Sequence, residues 1–190
     1  MAFRVVEKPG FSVIGLEGST AAGPGFVQRL WAEANARFAE VASLALRDEA
    51  GRLAGCWGLM SDPARRFLPW EENFTRGLYL AGVVCREDAR PPQGWTRWTL
   101  PGFAFLATPY APGEDTTARM LEELERRGLP LRWAMQDAMD PATGVAWLMA
   151  PIRRLEEKPM DDWFTVEQLE ADTWAISEYR HWEETHCYLL

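Results

Sequence analysis

Between residues 4 and 20, apolar side chains alternate loosely with polar ones. Val5, Phe11, Val13, Ile14 and Leu16 predict strand structure, broken at Pro9, with Gly10 and Gly15 as points of bulging or close approach. The period changes after residue 21, where Val27, Leu30, Trp31, Ala34, Phe38, Val41 and Ala42 recur at helical spacing, with Arg29, Glu33, Arg37 and Glu40 between them. This predicts an amphipathic helix reaching to about Leu46, whose regular turns are delayed by Gly23-Pro24-Gly25 until Phe26. Apolar runs at 56–60 and 77–84 predict two more strands. A further strand follows at 103–107, then a helix at 116–127 capped by Asp115 or Thr116 and ended by Gly128 and Pro130. Strands at 131–135 and 144–152, joined through Asp140-Pro141-Ala142-Thr143-Gly144, complete this pattern.

The succession strand, helix, strand, strand thus occurs twice, and each copy opens on the same tripeptide, Pro9-Gly10-Phe11 and Pro101-Gly102-Phe103. The expected fold class is α+β: duplicated βαββ halves with pseudo-twofold symmetry, forming an antiparallel sheet with helices on one side and a central ligand cleft. Interfaces between structural halves are favoured positions for small-molecule pockets. Residues 61–73, rich in proline and charge, are expected to form a long hairpin connection whose Trp70, Glu71 and Glu72 either fold over the cleft mouth or belong to a packed surface loop with Trp70 covering the core. Residues 86–93, with Pro91-Pro92, form the linker between the halves.

Composition narrows the function. A chain of 190 residues buries a core without disulfides or metals. A net charge of −8 argues against a dominant affinity for nucleic acid or an anionic membrane, and it suits a cationic ligand. Neither a signal peptide nor a transmembrane stretch is expected, and a cytoplasmic location follows. Cys56, Cys85 and Cys187 are widely spaced and form no Cys-x-x-Cys pair, so reduced structural thiols are expected. Ten tryptophans stand out, since their faces either fill a core or hold flat and cationic ligands.

The order of Glu7-Lys8-Pro9-Gly10-Phe11, Leu30-Trp31, Trp57-Gly58, Tyr79-Leu80-Ala81-Gly82, Leu100-Pro101-Gly102-Phe103 and Ala150-Pro151-Ile152 resembles the GyrI-like, or bacterial transcription-activator effector-binding, domain. The resemblance runs from about Phe3 to Arg154. It implies a cleft for organic molecules, often aromatic and cationic. Some members stand behind a DNA-binding domain, and some standalone members are similar to hydrolases of strained cyclopropane rings. The family carries an acidic residue in the first strand after the second helix. Here Trp133 or Ala134 stands near that position, which leaves Glu71, Glu72 or Asp137 to supply the carboxylate. The candidate ligand-binding residues are Trp57, Trp70, Glu72, Tyr79, Trp98, Phe105, Trp133, Met135 and Trp147, and a one-residue error in strand register would interchange their faces.

The leading expectation is a binding module that senses or sequesters a hydrophobic, aromatic or cationic small molecule. The alternatives are a hydrolase of strained electrophiles, and an interaction protein acting through its tail. Binding is favoured over catalysis, no catalytic residue and no cofactor are indicated, and direct nucleic-acid binding is not expected because no helix-turn-helix or basic patch is evident. The expected domains are 1–157, the effector-binding domain, and 158–190, a hairpin tail resembling the opening strands of a metallo-β-lactamase-fold hydrolase. That family's metal motif is missing, and His181 and His186, near Glu183, Glu184 and Cys187, read as structural or solvated rather than ligating. The tail's apolar edge calls for docking or homodimerisation.

Overall fold

The computed structural model describes residues 3–111 and 113–155, together with the backbone of three strands in the C-terminal segment. The chain divides into two compact units, Met1–Leu155 and Glu156–Leu190. The first holds β1 (Arg4–Lys8), β2 (Phe11–Ser19), α1 (Phe26–Ala36), β3 (Cys56–Ser61), the one-turn α2 (Glu71–Phe74), β4 (Leu78–Cys85), β5 (Thr96–Leu100), β6 (Phe103–Pro109), α3 (Thr116–Arg126), β7 (Gln136–Met139) and β8 (Ala146–Arg154). Among the described residues, no helix is long and apolar enough to cross a membrane.

All eight strands form one antiparallel sheet in the order β1-β6-β8-β7-β3-β4-β2-β5, curled into a half-barrel. The curl follows from chain connectivity. In a flat sheet β1 and β2 would stand six strand positions apart, about 29 Å at ordinary strand spacing. Lys8 and Phe11 are joined by only Pro9 and Gly10, a reach of about 11 Å at most, so the two ends of the sheet must approach each other. The same holds for the link Pro101-Gly102 between β5 and β6. The two links meet back to back: a Cβ on Gly10 would lie 3.3 Å from the Gly102 nitrogen, and one on Gly102 would lie 3.2 Å from that of Gly10. Each glycine is there because the other copy's backbone passes against it. The register follows the crossing, with Lys8 opposite Phe103 and Phe11 opposite Leu100.

The strand structure expected at 4–20, with its break at Pro9, is two strands on separate parts of the sheet, and Thr96–Leu100 forms a strand of its own beside β2. The first helix is also shorter than its periodicity predicts. After Ala36 the chain passes through a 3-10 turn at Phe38–Glu40, and Ala45 then bridges to Cys85 while the Leu46 amide donates to the Val84 carbonyl. Val41 and Ala45 stay buried, so burial rather than helical geometry maintains the period.

Alternation along the strands sorts the core into two faces. Trp57 and Leu59 on β3 pack with Val13, Leu80, Trp98, Leu100, Phe103, Phe105 and Trp133 on the face that carries no helix. On the opposite face, Ala34, Leu30 and Trp31 of α1 pack over Ile14, Cys56, Tyr79 and Val83. Further along that face, α3 sets Met120 and Leu124 against Leu106, Met135, Leu148 and Ala150. Burial of each such α3 side chain stabilises by about 1.5–3 kcal/mol relative to exposure. Asp115 caps α3 by accepting from the Ala118 amide at 3.0 Å, and Gly128, at φ 66°, lets the chain leave the helix. In β8, Pro151 sits opposite Phe105 beside a register shift, beyond the reach of β7, where its missing N–H removes no ladder bond to that strand.

The second unit contains β9 (Phe164–Glu170), β10 (Thr173–Glu178) and β11 (Thr185–Leu189), an antiparallel sheet with β10 in the middle. Its register pairs Ile176 with Val166 on one side and Cys187 on the other. His181, Glu183 and Glu184 lie outside the described residues, as do the side chains of His186 and Cys187. Among the described residues there is no metal-binding cluster of His, Cys, Asp and Glu.

Candidate functional site

On the helix-bearing face, α1 and α3 cover different parts of the sheet, and a cavity of about 830 Å³ opens between them. That volume lies within the range of about 300–1,000 Å³ usual for small-molecule sites. Phe26 and Val27 of α1 form one wall; Thr117 and Leu121 of α3 form part of the other. Met60, Tyr79, Asp137 and Leu148 come from the strands beneath, Phe74 comes from α2, and Trp70 and Tyr110 come from loops. Phe26 packs near Trp70 at 6.1 Å between ring centres and meets Tyr79 edge-on at 6.4 Å. Trp70 is fixed by its indole N–H, which donates to the Leu78 carbonyl at 3.0 Å.

Asp137 provides the cavity's single charged side chain among the described residues. It lies on β7 opposite Gly58 of β3 and Leu148 of β8. Gly58 opens a slot in the sheet surface through which Tyr79 reaches from β4, and the Tyr79 hydroxyl donates to Asp137 Oδ2 at 2.8 Å. Tyr110 donates to the other oxygen, Oδ1. The Trp31 indole N–H in turn donates to the Tyr79 hydroxyl at 3.0 Å, linking α1 to the carboxylate through a chain of hydrogen bonds. Burial pushes the Asp137 carboxyl above its ordinary range, while the hydrogen bonds from Tyr110 and Tyr79 pull in the other direction. Burial also raises both phenols, and the charge of Asp137 raises them further. The result is a carboxyl group held by neutral donors in an apolar cavity, with no lysine, arginine or histidine among the described lining residues.

Of the nine residues singled out in the sequence, the structure brings Trp70, Tyr79 and Met135 to this cavity. Trp57, Trp98, Phe105 and Trp133 are placed in the core of the opposite face, where Trp133 packs edge-on to Phe103 at 5.2 Å. Trp147 is half-buried on that same face, with the Arg4 guanidinium 4.1 Å from its ring centre. Glu72 is exposed beside Arg76, in a turn where Glu72, Asn73 and Phe74 all have positive φ. Glu71 pairs with Arg76 at 3.1 Å. The carboxylate in the cavity is Asp137, and the strand that carries it begins at Gln136 rather than Leu131. Residues 131–135 run irregularly instead, and the Ala134 amide donates to Phe67 in the 61–73 loop.

The tertiary structure has known parallels. The first unit has the fold of the GyrI-like effector-binding domains. SAV2435 bound to tetraphenylphosphonium superposes with a TM-score of 0.53 at 16% identity, covering 82% of this chain and 96% of that one. The EcmrR C-terminal domain gives 0.55 at 11% identity, with 81% and 98% covered. EcmrR in its DNA complex gives 0.57 at 11%, the match spanning 81% of this chain and 58% of that longer one. Comparisons with sequence families and with curated proteins give no match.

Proposed function

We propose that this chain is a binding module for hydrophobic organic cations whose charge is spread over a large surface, and that it senses or sequesters them in the cavity between α1 and α3. The observation that carries this reading is the Asp137 carboxyl group, set in an aromatic and aliphatic cavity without a basic partner among the described residues. A buried acid so placed is under-neutralised, and an entering cation supplies what the protein withholds. Aromatic faces add about 0.5–2 kcal/mol each for a desolvated cation, and Phe26, Trp70 and Tyr79 stand close enough together to act on one ligand. Tetraphenylphosphonium in SAV2435, a protein of the same fold, supports the choice of ligand class.

Titration of the protein with tetraphenylphosphonium tests the reading. Saturable quenching of tryptophan emission is expected, with affinity reduced at least tenfold in Asp137→Asn and little changed in Glu72→Gln. A flat titration up to the solubility limit of the probe overturns it.

A further inference from the structure

We infer that an organic cation entering this cavity releases a proton from Asp137, so that the site exchanges a cation for a proton and its affinity rises with pH. This rests on the cation-binding reading above and adds a second, exchanged ligand to it.

The geometry around the carboxylate supports the exchange. Its two oxygens accept from Tyr79 on β4 and Tyr110 just after β6, both neutral donors. Across the sheet β3 offers Gly58 and Met60, and β8 offers Leu148. Cys56, two residues before Gly58, is buried and its thiol is pushed up by that burial, so it stays uncharged. From α1 the cavity receives Phe26 and Val27, and from α3 it receives Thr117 and Leu121. Of the charged residues on these helices, Arg29 bonds to the carbonyls of Ala22 and Pro24, Glu33 pairs with Arg37, Arg119 with Glu114 and Arg126 with Glu123, while Glu122 and Glu125 are exposed.

An acid in such surroundings has two ways to avoid an uncompensated buried charge. In the empty cavity it holds a proton on one oxygen; in the occupied cavity it keeps both oxygens ionised against the cation. The proton leaves to solvent when the cation enters, so net charge in the cavity is conserved. Burial acts on the empty cavity in the direction this requires. By linkage, cation and proton then compete for one site, and on the acid side each unit of pH weakens cation binding by up to tenfold.

Tetraphenylphosphonium is a suitable probe because its charge is fixed and it carries no ionisable N–H. Calorimetric titration of the full chain at pH 5 to 8, in two buffers of different ionisation enthalpy, reads the exchange directly. The expected result is a heat that differs between buffers by the equivalent of up to one proton released, with a Kd that falls as pH rises and then levels off. Asp137→Asn should bind more weakly, with equal observed heats in the two buffers and no slope. Binding that persists with a Kd constant within twofold from pH 5 to 8, and with no buffer dependence, overturns the inference while leaving the cation site standing. A variant Asp137→Asn that keeps the wild-type slope overturns the assignment to this residue. Failure of the probe to bind at any pH removes the cation site and the exchange together.

Discussion

The hydroxyl of Tyr79 occupies space that any side chain at position 58 would claim: a Cβ built on Gly58 lies 1.7 Å from that oxygen and 3.1 Å from the Cβ of Asp137. The cavity floor therefore depends on a residue that contributes no atoms of its own. Gly58→Ala should expel the Tyr79 ring and break its hydrogen bonds to Trp31 and Asp137. Overpacking of this kind costs about 1–3 kcal/mol. Thermal denaturation should show the loss of stability, and tetraphenylphosphonium titration should show weakened binding even in the folded fraction.

Asp137 should make the fold less stable near neutrality than its neutral isostere does. The folded state raises this carboxyl above its unfolded value, so the folded chain holds the proton more tightly. The resulting stability is complete below the unfolded value and declines as pH rises through the folded one. Asp137→Asn should melt several degrees above the wild type at pH 7, with the gap closing towards pH 4. A melting difference that is flat across this range speaks against a raised carboxyl.

Glu40 behaves in the opposite sense. Hydrogen bonds from Arg37 and then from the Trp95 indole hold its carboxyl down to about 2. Its contribution is present above the ordinary carboxyl range and disappears as pH falls towards 2. Carboxyl-resolved NMR titration should place Glu40 among the last carboxylates to protonate, and Trp95→Phe should move it upward.

Much of the fold was legible because local pattern and tertiary position agreed. The start of α1 at Phe26, the whole of α3, and the strands β3, β4 and β8 follow from apolar spacing and from Gly and Pro punctuation. Pro9 marked a break, but alternation carries no information about a strand's partner, and β1 finds its own about a hundred residues away on β6. The faces were less accessible. Trp57 and Gly58 are adjacent on β3, so one faces the aromatic core and the other the cavity, and ring chemistry alone favours the tryptophan as ligand contact. Asp137 was in view as an alternative carboxylate. Its place depends on the irregular path of residues 131–135, which delays the strand to Gln136 and sets the acid under Tyr79 and Tyr110. Gln136, fully buried, anchors that start by accepting from the Met60 amide at 2.8 Å and donating to the Ala134 carbonyl at 2.7 Å.

The thiols of Cys56 and Cys85 are both buried, and burial raises both. Thiolate is the reactive form, so alkylation should be slow at either position in the native protein. Peptide mass mapping after brief iodoacetamide treatment should find both unmodified, and both should be labelled once denaturant is added. Rapid native labelling of Cys56 would show that the packing under α1 opens readily.

The crossing of Pro9-Gly10 over Pro101-Gly102 also governs the order in which the chain matures. During synthesis β1 emerges first, yet its partner β6 is made about a hundred residues later, and β2 likewise waits for β5 to cover its outer edge. Until then β2, β4 and β3 are available to assemble, with β1 idle. Pairings of such long sequence separation fold slowly, because loop closure comes before any contact rewards it. The early and late strands thus complete one another, and the curled sheet closes only when the second Pro-Gly-Phe link meets the first.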